Sequence, residues 1–127
     1  MKNLFANFVN QEICQILNNL GFDEDCIGFY KNDSLYITTV GFNANKEKVG
    51  ALSAPTHQQL LDWLREKHDL HIFINMFDDN TFDYTVTSRM FTSTVDYEDG
   101  PFNDYHECLN TAFKNALKHI KCQISHN

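Results

Sequence analysis

Hydrophobic residues recur with a helical period in three parts of this chain. From about Asn10 to Leu20 they follow one another at steps of three and four, and Gly21 comes directly after, where a helix commonly ends. Similar stripes over 57–67 and 103–121 predict two further amphipathic helices. Each helix has one apolar face, so each needs a surface to pack against.

The second predicted helix begins with a capping pattern. Thr56 is followed three residues later by Gln59, the spacing at which two side chains cap each other's backbone N–H groups. Trp63 belongs to the apolar stripe of this helix. It is either a core residue or an anchor for a protein partner.

Alternating hydrophobic and polar residues predict five β-strands. A hairpin over 26–40 turns at Asn32 and Asp33, because both residue types tolerate turn geometry. The segments 70–77, 81–88 and 89–97 follow one another with only short turns between them. Such turns join antiparallel strands and are too short for a parallel crossover, so these segments are expected to form a meander.

The strand over 70–77 is expected to have one core face and one outer face. Alternation places Leu70, Ile72, Ile74 and Met76 on the core face and His71, Phe73, Asn75 and Phe77 on the outer face. Aromatic residues on an outer face indicate a surface for a partner. The candidate interaction residues are therefore His71, Phe73 and Phe77, with Trp63 as a possible anchor.

The predicted fold class is α+β, with the element order α-β-β-α-β-β-β-α. The amphipathic helices are expected to pack on one face of the three-stranded meander, with the hairpin as an N-terminal addition. The chain is predicted to be one domain, 1–127. Its parts are a helix and hairpin at 1–40, a loop at 41–54, an α-β-β-β-α unit at 55–121 and a tail at 122–127.

Composition and charge narrow the function classes. The chain has 127 residues, of which 43% are hydrophobic, and eleven are Phe. No apolar run approaches the roughly 18 residues of a membrane helix, and the N-terminus lacks a signal-peptide pattern. We therefore expect no membrane partner. The net charge of −7 opposes phosphate binding, so nucleic acid is an unfavoured partner.

Four cysteines bear on the cellular compartment. Cys14, Cys26, Cys108 and Cys122 form no C-x-x-C pair. Free thiols are the default in a reducing environment, and the sequence therefore predicts a cytoplasmic protein.

Titratable residues form no recognisable catalytic or metal-binding pattern. His68 and His71 lie across a predicted helix-to-strand junction, with no third ligand at a fixed spacing. His106 and Cys108 open the last helix without the geometry of a nucleophile and its base. Phosphate-binding, nucleophile-elbow and zinc-protease motifs do not occur in the sequence. We therefore predict no catalytic, cofactor-binding or metal-binding residues and no cofactor.

The order of elements over 55–121 resembles that of the double-stranded-RNA-binding domain. That family grips phosphates with a Lys-rich start of its last helix. Here the corresponding residues are Asn103, Asp104, His106 and Glu107, which would repel RNA. The resemblance in topology alone does not imply RNA binding.

A second resemblance covers most of the chain. The stretches "LGFDEDCIGFY" (20–30) and "SAPTHQQLLDWLREKHDLHIFI" (53–74), together with the closing helix, resemble small uncharacterised proteins of phages, prophages and mobile elements of Bacteroidales-type gut bacteria. The resemblance implies a cytosolic bacterial or phage protein. It carries over no catalytic residues.

Three functional hypotheses remain open at this point. The favoured one is a non-enzymatic interaction module that binds a partner protein or its own copy through the outer-face aromatics. The second is a nucleic-acid-associated factor, which needs a basic stripe gathered from Lys31, Lys46, Lys48, Arg65 and Lys67. The third is a small hydrolase that uses His71, His106 and Asp99.

Overall fold

The computed structural model describes residues 4–47, 50–88, 91–95 and 101–125. The fold is α+β, and the chain forms two compact units: a first unit, Met1–Leu60, and a second unit, Leu61–Asn127. Each unit has its own three-stranded antiparallel sheet. That the whole chain is one domain stays a prediction.

The helices and strands follow the predicted order, with additions in the first unit. In chain order they are a 3₁₀ turn Leu4–Asn7, α1 Gln11–Asn19, β1 Cys26–Lys31, β2 Ser34–Phe42, α2 Ala44–Glu47, β3 Leu52–Ala54, α3 His57–His68, β4 Leu70–Met76, β5 Phe82–Ser88, β6 Phe91–Val95 and α4 Tyr105–Ser125. The additions α2 and β3 lie in the segment 41–54, which was wrongly expected to be a loop. The segment from 122 onward begins as helix rather than as a tail.

Both ends of α1 are capped as the sequence indicates. The Asn10 side chain accepts a hydrogen bond from the backbone N–H of Ile13 at 2.9 Å. At the other end Gly21 has a φ of 84°, and the N–H of Phe22 donates to the carbonyl of Leu17 at 2.9 Å. This arrangement satisfies carbonyls that the helix end would otherwise leave without partners.

The turn between β1 and β2 has a left-handed backbone at both central residues. Asn32 and Asp33 have φ values of 51° and 66°, as a two-residue type I′ turn requires. Among the described residues, the other non-glycine positions of this kind are Asp69 and Asn80. All four are Asn or Asp, the non-glycine residue types that adopt this conformation most readily.

In the first unit the sheet order is β2-β1-β3, and α1 packs on β3. The short helix α2 is tied to β3 by two hydrogen bonds. The N–H of Asn45 donates to Ser53 Oγ at 3.1 Å, and the N–H of Ser53 donates to Asn45 Oδ1 at 2.9 Å. Ala44, the first residue of α2, is buried. The segment 41–54, which the sequence predicts as a loop, is therefore partly core structure.

The start of α3 is capped, but only from one side. Thr56 Oγ1 accepts a hydrogen bond from the N–H of Gln59 at 3.1 Å, as predicted. The Gln59 side chain does not return the bond to Thr56. It donates instead to the carbonyl of Asp25 at 2.8 Å, which ties α3 to the loop before β1.

In the second unit the sheet order is β4-β5-β6, and α4 packs across β4 and β5. Its N-terminus is capped by Asp104, whose carboxylate accepts from the N–H of Glu107. Among the described residues of this unit, the buried apolar ones are Trp63, Leu64, Leu70, Tyr84, Val86, Cys108, Leu109, Ala112, Phe113, Ala116, Leu117 and Ile120. The predicted cover of one sheet face by α4 is present. That α3 lies on the same face stays a prediction.

Candidate functional site

Strand β4 lies at the edge of the second sheet. It pairs with β5 in an unbroken register from Leu70 opposite Ser88 to Met76 opposite Phe82. Within the described part of the chain, no strand pairs with its other side. The outer backbone N–H and C=O groups of an edge strand are free to accept a further strand.

The other edge strands are shorter or irregular. Strand β3 has three residues, and the β1–β2 and β5–β6 pairings both contain a register shift. Short length and irregular pairing protect an edge against strand addition, as do Lys and Pro. Strand β4 has seven residues, neither Lys nor Pro, and His71 as its one titratable residue. Among the edge strands of the described sheets, β4 is the longest whose pairing has no register shift.

Three large apolar side chains are exposed along the C-terminal half of this edge and directly after it. The exposed fraction is 55% for Phe73, 71% for Met76 and 46% for Phe77. Phe73 and Phe77, which alternation assigns to the outer face, are both exposed. The prediction that Met76 lies inward is wrong, because alternation assigns a face but does not say how far along the strand that face is covered.

The His71 side chain contacts Asp69, the residue just before β4, rather than the exposed aromatic residues. Its Nε2 lies 3.3 Å from Asp69 Oδ1, and Ser88 Oγ donates to Asp69 Oδ2 at 3.1 Å. The carboxylate therefore stands between the imidazole and the hydroxyl. A serine hydrolase needs the imidazole between the other two groups, so this trio is not arranged for nucleophilic catalysis. It holds the start of β4 against the end of β5.

Trp63 is buried, with an exposed fraction of 8%. Its ring lies edge-on to the His68 ring, with the centroids 4.6 Å apart. Burial in this environment lowers the pKa of His68. Of the two roles that the sequence leaves open for Trp63, this packing fits the core role; its role as an anchor stays a prediction.

The β4–β5 hairpin is rich in Asp and lacks Lys and Arg. Residues 69–88 contain four aspartates, Asp69, Asp78, Asp79 and Asp83, and neither Lys nor Arg. The hydroxyl and the N–H of Thr81 both bond to Asp79 and lower the pKa of its carboxyl group. The exposed apolar side chains of β4 are therefore accompanied by an acidic turn.

Buried cysteines are poor candidates for nucleophiles. Cys14, Cys26 and Cys108 are buried, and Cys122 is exposed. Burial raises the pKa of Cys26 to about 12 and that of Cys108 to about 11, and it raises the pKa of Cys14 as well. A thiol with a raised pKa holds little of the reactive thiolate at neutral pH.

We expect one of the four thiols to react fast in the native protein. Titration with an aromatic disulfide reagent at about pH 8 should give one fast equivalent, from Cys122, because the other three are shielded and protonated. Cys122→Ser should remove the fast phase, and urea should release the three slow thiols. A fast phase that persists in Cys122→Ser would mean that a buried cysteine is activated.

The remaining candidate sites do not come together in the described residues. No group of three or more His, Cys, Asp or Glu residues in that part of the chain could hold a metal ion. The hydrolase hypothesis needs Asp99, and the basic stripe needs Lys48; both residues lie outside the described residues. In addition, Arg65 is paired with Asp62 at 2.7 Å. Both hypotheses stay untested.

Comparisons of the chain with protein-family models, with curated proteins and with solved structures found no match. Of the helices in the described residues, none has both the length and the apolar character that a membrane crossing requires.

Proposed function

We propose that this protein is a non-enzymatic interaction module that receives an extended segment of another protein along β4. The observation that carries the proposal is the unprotected edge of β4 beside the exposed side chains of Phe73, Met76 and Phe77. A bound strand would gain affinity from backbone hydrogen bonds and specificity from contacts with these side chains.

The negative charge of the β4–β5 hairpin favours a positively charged partner segment. The four aspartates of residues 69–88 attract Lys and Arg and repel acidic chains. A second copy of this protein, with a net charge of −7, brings the same aspartates to the contact. We therefore commit to a partner segment that combines apolar residues with flanking Lys or Arg.

The cellular setting is part of the same proposal. Free thiols at Cys14, Cys26, Cys108 and Cys122 suit a reducing compartment, so we place the module in the cytoplasm. The two sequence patterns at 20–30 and 53–74 support an origin in phages or mobile elements of Bacteroidales-type bacteria. Both statements depend on the sequence and add no detail to the binding site.

A peptide-display selection tests the proposal without a known partner. Random linear peptides are selected on the wild-type protein, and the enriched peptides are synthesised and titrated by fluorescence anisotropy. We expect enrichment of alternating apolar residues flanked by Lys or Arg. Binding should weaken by about tenfold in Phe73→Ser, and it should weaken further with added salt.

Tyr36→Ser is the matched control, because Tyr36 is also an exposed aromatic residue on an edge strand, β2, of the other sheet. Its peptide affinity should equal that of the wild type. The proposal fails if no peptide is enriched or if both variants lose binding equally. Light scattering on the free protein gives a further criterion: a dimer that Phe73→Ser dissociates would make a second copy the occupant and overturn the choice of partner.

A further inference from the structure

A cavity of about 540 Å³ lies in the first unit, away from any residue used in the proposed function. Its lining residues come from α1, from the β1–β2 hairpin, from α2 and from the segment 50–52, which leads into β3. Five carboxamides contribute to it: Gln11, Gln15, Asn18, Asn32 and Asn45. The volume is within the usual range for small-molecule sites.

The amides on α1 share one face of the helix. Gln11, Gln15 and Asn18 are spaced by four and three residues, so their side chains project from the same side. The opposite side carries Ile13 and Leu17, which are buried in the core of the unit. The helix therefore has a core face and an amide face, and its amide face lines the cavity.

Two of the polar lining groups are held in place by bonds to the backbone. Asn45 Oδ1 accepts from the N–H of Ser53 at 2.9 Å, and its Nδ2 donates to the carbonyl of Phe22 at 3.1 Å. The Tyr30 hydroxyl donates to the carbonyl of Val9 at 3.0 Å. Each group keeps hydrogen-bonding capacity beyond these bonds, so the cavity presents oriented polar groups before a ligand arrives.

The chemistry of the lining selects the ligand class. None of the nine lining residues is charged, in a chain of which 21% is charged. One of them, Gln11, donates through Nε2 to the Asp33 carboxylate at 3.1 Å, so a phosphate or carboxylate group finds a like charge beside the lining and no counter-ion among the nine lining residues. A carboxamide donates and accepts, which matches a hydroxyl that also does both. The Tyr30 ring and the Leu52 side chain add apolar surface to the lining.

We propose that this cavity binds a neutral carbohydrate of one or two rings. Ring hydroxyls pair with the carboxamides, and the C–H face of a sugar ring packs on the apolar part of the lining. This inference does not depend on the interaction at β4, because every lining residue belongs to the first unit and β4 belongs to the second.

An NMR titration of ¹⁵N-labelled protein tests the proposal. The probes are maltose, cellobiose and N,N′-diacetylchitobiose, with glucuronic acid as a charged comparison. At least one neutral disaccharide should give saturable shifts in the side-chain amides of Gln11, Gln15, Asn18, Asn32 and Asn45. Glucuronic acid should give none of these shifts.

Variants establish the location of binding. Gln15→Leu with Asn18→Leu should lower the affinity by about tenfold or more, and both residues are exposed, so the fold is retained. Gln58→Leu is the control, because it makes the same change at an exposed position of α3 outside the lining. Phe73→Ser should bind sugar like the wild type, which separates this test from that of the proposed function.

Three results would overturn the inference: no saturable shift with any of the neutral disaccharides at tens of millimolar, equal shifts with glucuronic acid, or undiminished binding by the double variant.

Discussion

Replacing Gly28 with alanine is expected to destabilise the first unit by about 2–3 kcal/mol. A Cβ at this position would lie 2.6 Å from Phe8 Cε1, 2.7 Å from Phe8 Cδ1 and 2.9 Å from the carbonyl oxygen of Ala54. Phe8 is buried, and Ala54 pairs with Gly28 in the β1–β3 ladder. Neither neighbour can yield without disturbing the core or the sheet. Urea unfolding, with amide exchange of β1 as the local probe, measures the loss.

Gly41→Ala is the matched control for this prediction. A Cβ at Gly41 would have its nearest contact at 3.6 Å, with Asp25 Cβ, which is ordinary van der Waals distance. The free energy of unfolding should therefore change by no more than about 0.5 kcal/mol. Equal losses in the two variants would show that general glycine effects, and not the contact between β1 and Phe8, decide the stability.

Phe113→Ala should cost about 3–5 kcal/mol of stability, the largest effect that we expect from a single side-chain truncation in the second unit. Phe113 is fully buried on α4, the helix that packs across β4 and β5. Removing its ring leaves a cavity that a helix seated on a sheet cannot close without moving. The melting temperature and the urea midpoint should both fall, as followed by circular dichroism.

Phe73→Ala is the matched control for Phe113→Ala, because it makes the same substitution at an exposed position. More than half of the Phe73 side chain is exposed, so its truncation removes little buried surface and should cost about 1 kcal/mol or less. If the two truncations were equally costly, the assignment of a buried α4 face and an open outer face of the second sheet would be wrong.

The long, periodic elements could be predicted from the sequence because their signals are local. The helix α1 shows an N-cap, an apolar face and a C-terminal glycine within one short stretch. The β1–β2 turn is evident from Asn32 and Asp33, and the β4–β5 pairing from alternation on both sides of a polar turn. Each of these features is decided by neighbours in sequence, so one sequence is enough to find it.

The elements α2 and β3 could not be found in the same way. Both are too short to show a period, at four and three residues. They form because they pair with distant parts of the unit: β3 with β1, and α2 with β3 through Asn45 and Ser53. The one local signal that was overlooked is Asn43, whose side chain accepts from the N–H of Lys46 at 3.1 Å and caps α2.

The sequence predicts which face of a helix or strand a side chain belongs to better than it predicts how deeply that side chain is buried. Tyr105 lies within the stripe over 103–121 that predicts the last amphipathic helix, yet 44% of it is exposed. It is the first residue of α4, and its ring packs edge-on against Phe82 at 5.8 Å between centroids. Periodicity assigns a residue to a face, but how far the opposing element extends is a tertiary property.

The candidate site was partly visible in the sequence. Phe73 and Phe77 follow from alternation, whereas the carboxylate between His71 and Ser88 follows from the pairing of β4 with β5. The amide-lined cavity was missed entirely. Its members are spread from residue 11 to residue 52, and scattered Asn and Gln residues give no signal until the fold collects them.

Two of the four residues with a left-handed backbone conformation also link separate segments through side-chain hydrogen bonds. Asp33 accepts a hydrogen bond from the Gln11 side chain, and Asp69 accepts one from Ser88. Glycine would relax the backbone at either position but remove the acceptor, and most other residues would restore neither property. Divergence during evolution should therefore leave these two positions as Asp or Asn, which offers a marker for recognising distant homologues of this chain.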